Sequence, residues 1–315
     1  MRNTIIAASL LIALFGAWSC KKDDSETTTP SLSGIVVSSD ASTYMAIGST
    51  ITANCDVSNI TSTTGEVPEP IGLAWQVNSE KRDTTSRDIR LSNPEFSVTL
   101  DEAGTYTITC YAFAESGYYS ASSSVSFTII DPATALTGLA GEPDTKIGDV
   151  TYRTMEAGGK TWMGENLYGT SVGRVYRDSE VVASVFGKYY TWEEAQTICP
   201  DGWHLPAADE FDTCLGTGSG ALMVNASFIE VEMWTYWPEV SITNTTLFNA
   251  IPAGYFDLTN ESSPEQGFKE YAAFWTADQQ DEFGLFRYIY DRNPIIQAGK
   301  GDKKTLAMSV RCVKD

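Results

Sequence analysis

Short runs of alternating apolar and polar residues fill the first half of the chain, between residues 33 and 131. In the run Ile51–Val57 the odd positions are apolar or cysteine and the even positions are polar. The same period of two recurs in Leu73–Val77, Phe96–Leu100 and Val125–Ile129, with glycine, proline and serine between the runs. A strand that turns one face to a core and the other to water has this period. Residues 33–131 are therefore predicted to form a small all-β antiparallel sandwich.

Two cysteines and a tryptophan add a further pattern to this sandwich. Cys55 and Cys110 both fall on inward-facing positions, and Trp75 lies between them in sequence. This order resembles the Cys…Trp…Cys pattern of immunoglobulin domains, and the segment 101–106 resembles their tyrosine corner. The resemblance implies an Ig-like or PKD-like domain, which outside the cytoplasm has a Cys55–Cys110 disulfide. On surface proteins such domains serve mainly as spacers.

The second half of the chain shows helical periods as well. The segment 132–145 contains proline and glycine and is predicted to be a linker between two domains. Beyond it, Thr191–Cys199 is rich in helix-forming residues and places Trp192 and Cys199 on one helical face. A proline directly after this segment ends the helix, and a second short helix is predicted to begin at Pro206.

Five blocks of sequence, taken in order, characterise residues 146–315. The blocks are Tyr152–Leu167, Tyr189–Pro206, Ile251–Tyr255, Phe274–Thr276 and Ser309–Asp315. Together they closely resemble the Fibrobacter succinogenes major paralogous domain, a family of secreted and surface lipoproteins with no activity assigned in general. Its layout is similar to the C-type-lectin-like fold, so the resemblance implies an α+β, lectin-like C-terminal domain. In that fold a helix cysteine is bridged to one on the last strand, which implies a Cys199–Cys312 disulfide and leaves Cys214 as a free thiol.

A positive charge and an apolar run begin the chain, at Arg2 and Ile5–Phe15. The run has the length of a signal-peptide core and is too short to cross a bilayer. Ser19 directly before Cys20 resembles the lipobox of bacterial lipoproteins. This resemblance implies that residues 1–19 are a lipoprotein signal peptide and that Cys20 carries the lipid. An ordinary secretory signal peptide with an incidental cysteine is the alternative.

Residues 20–32 are polar and rich in threonine, so they are predicted to be a flexible tether. The charged residues directly after Cys20 resemble the surface-export signal of Bacteroidota lipoproteins. The resemblance implies a protein anchored by its lipid in the outer membrane and facing the cell exterior. A solvated spacer on a periplasm-facing protein is the alternative.

Composition removes several classes of function. With 41 acidic and 21 basic residues the net charge is −20, and an acidic surface repels phosphate, so no nucleic-acid partner is expected. A single histidine, His204, excludes zinc sites with several histidine ligands.

Cys199 lies close to His204 in sequence but on an apolar helical face, unlike nucleophilic cysteines, which have electropositive and accessible surroundings. No catalytic motif is present, so the protein is not expected to be an enzyme. No cofactor is expected, and calcium binding by Asp278, Asp281 and Glu282 has no supporting motif.

The remaining functional prediction concerns ligand binding by aromatic residues. Trp234, Tyr236 and Trp237 lie outside the five blocks, in a segment interpreted as a loop, and are the candidate ligand-binding residues. Aromatic rings on a loop stack on sugar rings or anchor a protein partner, whereas the alternative is a loop that covers its own apolar patch. Residues that extend such a surface are Tyr255, Phe256, Tyr288 and Tyr290. The favoured function is extracellular recognition of a glycan or a cell-surface protein. The alternative is a structural component of a surface assembly such as a pilus or a glycan-capture complex.

Overall fold

The computed structural model of the chain describes residues 31–67, 71–79, 82–91, 94–114, 120–234 and 240–315. The lipidation candidate Cys20 and the candidate binding residues Tyr236 and Trp237 lie outside these ranges. Within the ranges, no helix is both long enough and apolar enough to cross a membrane.

Two facing sheets form the N-terminal domain. The strands of this domain are β1 (Leu32–Ser33), β2 (Val36–Ser39), β3 (Tyr44–Ala46), β4 (Ser49–Asp56), β5 (Thr61–Ser62), β6 (Ile71–Ser79), β7 (Arg82–Leu91), β8 (Glu95–Leu100), β9 (Gly104–Ala114) and β10 (Ser120–Ile130). One sheet has the order β2-β4-β8 and the other has the order β3-β10-β9-β6-β7. All neighbours within these two sheets are antiparallel except β3 and β10. The predicted all-β sandwich is confirmed.

The inward positions of the alternating runs form the core of the sandwich. Trp75 is fully buried and stacks on Phe96 of the opposite sheet, with 5.5 Å between ring centroids. The predicted tyrosine corner is present, because the Tyr106 hydroxyl donates a hydrogen bond of 3.0 Å to the carbonyl oxygen of Glu102. This bond ties the start of β9 to the turn that precedes it.

The sulfur atoms of Cys55 and Cys110 meet inside this core but are not bonded to each other. Both residues are buried thiols on facing strands of the two sheets, and a hydrogen bond joins the two side chains. That hydrogen bond, together with burial, raises the pKa of the Cys110 thiol. The predicted Cys55–Cys110 disulfide is therefore not formed in the structure. Apolar and aromatic side chains, among them Trp75, surround both cysteines in the core.

The C-terminal domain is mostly β-sheet. After β11 (Leu136–Thr137) its strands are β12 (Thr145–Ile147), β13 (Val150–Tyr152), β14 (Thr154–Ala157), β15 (Lys160–Met163), β16 (Tyr190–Thr191), β17 (Trp203–His204), β18 (Ser227–Phe228), β19 (Val231–Glu232), β20 (Tyr255–Asp257), β21 (Glu265–Gln266), β22 (Tyr271–Gln280), β23 (Phe283–Tyr290), β24 (Gln297–Asp302), β25 (Leu306–Met308) and β26 (Val313–Lys314). Its α-helices are α1 (Ala183–Phe186), α2 (Trp192–Ile198) and α3 (Ala208–Leu215). The larger sheets have the orders β14-β15-β26-β17, β16-β25-β20-β21 and β22-β23-β24.

Helix α2 begins and ends where the sequence predicts. The Thr191 side chain accepts a hydrogen bond from the Glu194 amide, and the Glu194 carboxylate accepts one from the Thr191 amide, which together form a capping box. Cys199 follows the last helical residue and is joined to Cys312 by a disulfide. The Cys199–Cys312 disulfide implied by the family resemblance is thus present. It links α2 to the segment that enters the last strand.

A buried arginine lies at the centre of the C-terminal domain. The side chain of Arg311 is 1% exposed and donates hydrogen bonds to Asn166 Oδ1 at 2.7 Å and to the carbonyl oxygen of Phe248 at 2.6 Å. It also donates at 3.2 Å to the carbonyl oxygens of Met163 and Asn249. Each of these acceptors is neutral, so burial lowers the pKa of Arg311. One side chain thereby connects loops that are far apart in sequence.

Apolar contacts join the two domains. Tyr44 of the sandwich packs against Phe228 and Tyr176 of the C-terminal domain, with centroid distances of 5.4 and 6.5 Å. The Tyr44 amide also donates a 3.0 Å hydrogen bond to Ser179 Oγ. The segment 132–145, predicted as a linker, contains β11, which pairs with β18. The sandwich is therefore held against the C-terminal domain by packing as well as by the connecting chain.

Candidate functional site

An open cleft with a volume of about 360 Å³ lies between two sheets of the C-terminal domain. Its lining residues are Tyr255, Asp257, Tyr271, Ala273, Phe286, Tyr288, Ala298, Gly299, Lys300, Leu306 and Met308. Strands β22, β23 and β24 form one wall, and β20 and β25 form the other. We call this feature the tyrosine cleft. The tyrosine cleft is larger than the concave sites beside Arg311, Ile229 and Asn225, which have volumes of about 10, 250 and 110 Å³, and it contains more aromatic side chains than any of these three.

The two-residue period of the strands brings these side chains to one place. In β20, Phe256 is buried in the core, whereas its neighbours Tyr255 and Asp257 lie on the opposite face and line the cleft. In β22, Tyr271 lines the cleft while the next residue, Ala272, is buried on the other side. The same alternation gives Phe286 and Tyr288 to the cleft from β23. β20, β22 and β23 thus each contribute one face to the core and one to the cleft.

Contacts between aromatic rings hold the tyrosine side chains in place. The Tyr271 ring stacks on Tyr290 at 4.7 Å with an interplanar angle of 10°. It also contacts the rings of Tyr288 at 6.1 Å and Tyr255 at 6.5 Å. Rings fixed in this way lose little further freedom when a ligand binds, which favours affinity. The cleft therefore offers rigid aromatic walls.

A glycine in β24 allows the strand to pass directly over one of these rings. A Cβ atom at Gly299 would lie 2.3 Å from the Phe286 ring, which is shorter than any allowed contact. Gly299 pairs with Phe286 across the two strands. Any larger residue at position 299 would have to displace the ring and so change the shape of the cleft.

The hydroxyl groups of the cleft tyrosines are available for a ligand. No hydrogen bond joins the hydroxyls of Tyr255, Tyr271 or Tyr288 to another described residue, whereas the fully buried tyrosines outside the cleft are bonded internally. The Tyr189 hydroxyl, for example, donates a 2.6 Å hydrogen bond to the carbonyl oxygen of Ala253. Burial raises the pKa of Tyr255 and Tyr271. Their hydroxyls are therefore protonated at neutral pH and able to donate and accept hydrogen bonds.

One carboxylate, that of Asp257, completes the lining. Asp257 Oδ1 accepts hydrogen bonds from the Thr259 amide at 3.0 Å and from the Thr259 hydroxyl at 2.6 Å. These two bonds hold the pKa of Asp257 below its usual range. Lys300 is exposed, and its Nζ lies 5.2 Å from the centroid of the Phe283 ring. Lys300 pairs with Leu285 across β23, whereas Gly299 pairs with the cleft residue Phe286, so the Lys300 side chain lies on the other face of the sheet. Of these two charged groups, the Asp257 carboxylate is the one that the cleft presents to a ligand.

The sequence model of the Fibrobacter succinogenes major domain matches residues 155–314. The chain belongs to this family. Its Fibrobacter succinogenes major domain contains the tyrosine cleft and the Cys199–Cys312 disulfide. No curated protein matches the chain. Among solved structures, the PKD domain of an M14-like peptidase from Thermoplasmatales archaeon SCGC AB-540-F20 is similar, with 17% sequence identity and a TM-score of 0.21. The match covers 32% of this chain and 94% of that domain.

Trp234, one of the predicted binding residues, is part of the core of the Fibrobacter succinogenes major domain. Its side chain is 3% exposed, and its Nε1 donates a 3.3 Å hydrogen bond to the carbonyl oxygen of Ala250. An indole buried with its one polar atom satisfied contributes to stability, so the prediction of Trp234 as an exposed platform is wrong. Among the aromatics predicted to extend that platform, Tyr255 and Tyr288 line the tyrosine cleft, whereas Phe256 is buried.

His204 takes part in a cluster of charged side chains that joins three elements of the domain. Its Nδ1 lies 2.7 Å from Asp315 Oδ1, and its Nε2 lies 3.1 Å from Glu210 Oε2. Glu210 also forms an ion pair with Lys160. Burial alone would raise the pKa of Glu210, but hydrogen bonds, from Lys160 first and then His204, outweigh it and lower the pKa. The nearby Cys199 is bonded to Cys312, so it is not a nucleophile paired with His204.

The other sequence candidates for chemistry are separate from the cleft. Burial and the neighbouring Glu210 raise the pKa of the Cys214 thiol, which disfavours the reactive thiolate. Asp278, Asp281 and Glu282 are exposed, and the Asp278 carboxylate accepts a hydrogen bond from the Ala208 amide at the start of α3. In the described part of the chain no group of three or more histidine, cysteine, aspartate or glutamate residues is arranged to hold a metal ion.

Proposed function

We propose that this chain is a lipid-anchored surface protein whose Fibrobacter succinogenes major domain binds carbohydrate in the tyrosine cleft. The observation that supports the proposal is the set of half-buried tyrosine rings around an open cleft, whose hydroxyls make no hydrogen bond to another residue that the structure describes. We further propose that the domain has the lectin-like layout that its family resemblance implies. The domain then acts as an extracellular recognition module.

The chemistry of the cleft suits a sugar ring. One face of a pyranose presents C–H groups that pack on an aromatic ring, while its edge presents hydroxyls that need hydrogen-bond partners. Tyrosine supplies both an apolar face and a polar tip. In the cleft these features lie beside an apolar floor that includes Leu306 and Met308. A small number of polar groups in a mostly apolar concave site is typical of specific ligand binding.

Two further features support a location outside the cytoplasm. The Cys199–Cys312 disulfide is of a kind that persists in oxidising compartments. The sequence around Cys20 supports lipid attachment there, and residues 20–32 support a flexible tether. In this proposal the lipid holds the chain on the outer membrane, and the sandwich positions the tyrosine cleft away from the bilayer, facing the cell exterior.

The carbohydrate proposal is tested by glycan-array binding of the mature chain and of two tyrosine variants. Tyr288→Ala is expected to weaken binding of any array ligand at least about 10-fold, a change of about 1.4 kcal/mol, because it removes one ring of the cleft. Tyr168→Ala is the matched control, since Tyr168 is a half-buried tyrosine outside the cleft that contacts Tyr152 at 5.0 Å. Binding that is equal in wild type and Tyr288→Ala would place the site elsewhere.

The lipid anchor is tested by the variant Cys20→Ala. The variant is expected to leave the membrane fraction, because without the thiol no lipid can be attached and residues 21–29, which follow Cys20, contain no apolar side chain to replace it. Fractionation of cells followed by immunoblotting measures the change. Retention of the variant in the outer membrane would contradict the anchor.

The second candidate function is a structural role in a surface assembly. The observation that favours it is the edge strand β24, which ends the sheet β22-β23-β24 and has only one neighbouring strand in it. An edge strand can pair with an extended segment of another protein. Absence of binding across a broad glycan array, together with capture of a partner that Ala298→Pro in β24 abolishes, would favour this role.

A further inference from the structure

We propose that the tyrosine cleft selects amino sugars, that is, saccharides that carry a protonated amine, with the Asp257 carboxylate as the counter-ion of that amine. This inference rests on the proposed carbohydrate-binding function and narrows its ligand class. The observation that supports it is the lining of the cleft, where the Asp257 carboxylate lies among aromatic rings and the described residues place no cationic side chain on the same face.

The register of the strands places the Asp257 side chain on the cleft face. Phe256 and Ala307 pair across β20 and β25, and both are buried in one core cluster. Asp257 pairs with Leu306, the neighbouring position on both strands, so these two side chains lie on the opposite face, towards the cleft. Burial and then the Asp257 charge raise the pKa of Tyr255, which agrees with a carboxylate close to this phenol.

The same alternation turns the cationic residue of the lining away from the cleft. Lys300 pairs with Leu285, the residue before Phe286, so its side chain lies on the face of the sheet opposite that ring. Its Nζ is 5.2 Å from the centroid of the Phe283 ring, on that far face. In the described part of the chain no ion pair joins Asp257 to Lys300 or to another cation. The cleft therefore presents a negative charge that a ligand can neutralise.

Asp257 is held ready to accept a hydrogen bond from an ammonium group. Its Oδ1 accepts hydrogen bonds from the Thr259 hydroxyl at 2.6 Å and from the Thr259 amide at 3.0 Å, which fix the carboxylate, while no described residue donates to Oδ2. The bonds to Thr259 also lower the pKa of Asp257, so the group is ionised at neutral pH. A hydrogen bond between two ionised groups is shorter and stronger than one between neutral groups.

Aromatic rings next to this carboxylate attract the same cation. Tyr255 lies two residues before Asp257 on the same face of β20, and side chains at that spacing are about 7 Å apart along a strand. The ring of Tyr271 meets the Tyr255 ring nearly at a right angle, with 6.5 Å between their centroids. The face of an aromatic ring attracts a cation that lies within about 6 Å of its centroid. An ammonium group bonded to Asp257 is therefore within reach of an aromatic corner.

The charge of the cleft separates amino sugars from other classes of saccharide. An ammonium group gains from both the carboxylate and the rings, whereas a hydroxyl at the same place carries no charge. A carboxylate or sulfate is repelled by Asp257, and the net charge of −20 on the whole chain adds to that repulsion. We therefore expect a neutral sugar to bind in the same cleft more weakly than its amino derivative.

The first experiment compares ligands by isothermal titration of the mature chain at about pH 6, where both an amine and Asp257 are charged. Cellobiose, maltose, lactose and β-1,4-mannobiose are each used in neutral form and with the C2 or C6 hydroxyl of the non-reducing sugar replaced by an amine. For the disaccharide that binds most tightly in any form, one amino derivative is expected to bind at least about 10-fold more tightly than the neutral parent. A neutral parent that binds within about 3-fold of both amino derivatives, or more tightly, would overturn the selection while leaving carbohydrate binding intact. If no saccharide binds, the proposed function itself fails.

The second experiment removes the charge of the cleft. Asp257→Asn keeps the size of the side chain and is expected to reduce the preference for the amino derivative over its neutral parent to less than about 3-fold. Asp302→Asn is the matched control, since Asp302 also accepts hydrogen bonds from two nearby amides, those of Lys304 and Thr305, but lies outside the lining. The control is expected to keep the preference of wild type. An Asp257→Asn variant that keeps this preference as well would contradict the inference even if the saccharide binds.

Discussion

Arg311→Ala is expected to lower the free energy of unfolding of the C-terminal domain by about 2–5 kcal/mol, or to prevent the domain from folding. The wild-type guanidinium donates to four oxygens, of Asn166, Met163, Phe248 and Asn249, none of which is exposed to water as an alternative partner. Alanine would leave these acceptors buried without a donor and would leave a cavity. Both effects destabilise the folded state.

Contacts of Arg311 with two aromatic rings add a second contribution to the stability of the folded domain. Its guanidinium lies 4.5 Å from the ring centroid of Phe248 and 5.6 Å from that of Phe274, so a cation–π interaction accompanies the hydrogen bonds. Arg311→Lys is expected to be less damaging than alanine but still destabilising, because an ammonium group has three donors and no planar fork to reach all four oxygens. The free energy of unfolding is therefore expected to be highest for wild type, lower for Arg311→Lys and lowest for Arg311→Ala.

Chemical denaturation followed by tryptophan fluorescence measures these differences. Lys146→Ala is the control, because Lys146 is an exposed cation on β12 and its removal is expected to change stability by less than about 0.5 kcal/mol. A loss of less than about 1 kcal/mol for Arg311→Ala would show that the buried network contributes little, contrary to its geometry.

Removal of the Cys199–Cys312 disulfide is expected to lower the free energy of unfolding by an amount similar to that for Arg311→Ala. The two cysteines are 113 residues apart, and closing a loop of that length stabilises the folded state by about 4–5 kcal/mol through the reduced entropy of the unfolded chain. The double variant Cys199→Ser/Cys312→Ser leaves no unpaired thiol at the site and is expected to lower stability by a large part of this amount.

The denaturation midpoint with and without a reducing agent provides the measurement. Wild type is expected to become less stable when reduced, whereas the double variant is expected to be insensitive to the reducing agent. Cys214→Ser serves as the control, since Cys214 is a half-buried thiol outside the bond and its replacement is expected to change stability little. Equal midpoints for oxidised and reduced wild type would contradict a stabilising disulfide.

The sandwich and helix α2 were predictable because the sequence patterns that indicate them are local. Alternation such as that of Ile51–Val57 depends only on neighbouring residues, and it corresponds to β4 in the structure. Helix α2 is defined by its capping residues Thr191 and Glu194 and by the proline that follows Cys199. The Cys199–Cys312 pairing required the family resemblance, because spacing alone does not determine which cysteines meet.

The tyrosine cleft was only partly predictable because its residues come from strands that are distant along the chain. Tyr255 and Tyr288 were recognised as aromatic candidates, but Asp257 and Tyr271 were not, since no local pattern places them beside one another. The alternating aromatics of β22 and β23 were the available signal. Trp234 was assigned to the surface because a tryptophan outside the family blocks has no sequence feature that separates a buried indole from an exposed one.

Ligand-induced shifts of methyl signals test the central claim, that carbohydrate binds in the tyrosine cleft. Methionine and alanine methyl groups are labelled in the mature chain, and the disaccharides cellobiose, maltose, lactose and β-1,4-mannobiose are titrated in turn. Met308 and Ala273 line the cleft, whereas Met155 lies in a separate part of the core and Ala53 lies in the sandwich. We predict that a disaccharide shifts the signals of Met308 and Ala273 and leaves those of Met155 and Ala53 unchanged. Binding without a shift at Met308 and Ala273, or no shift with any saccharide, would contradict the account.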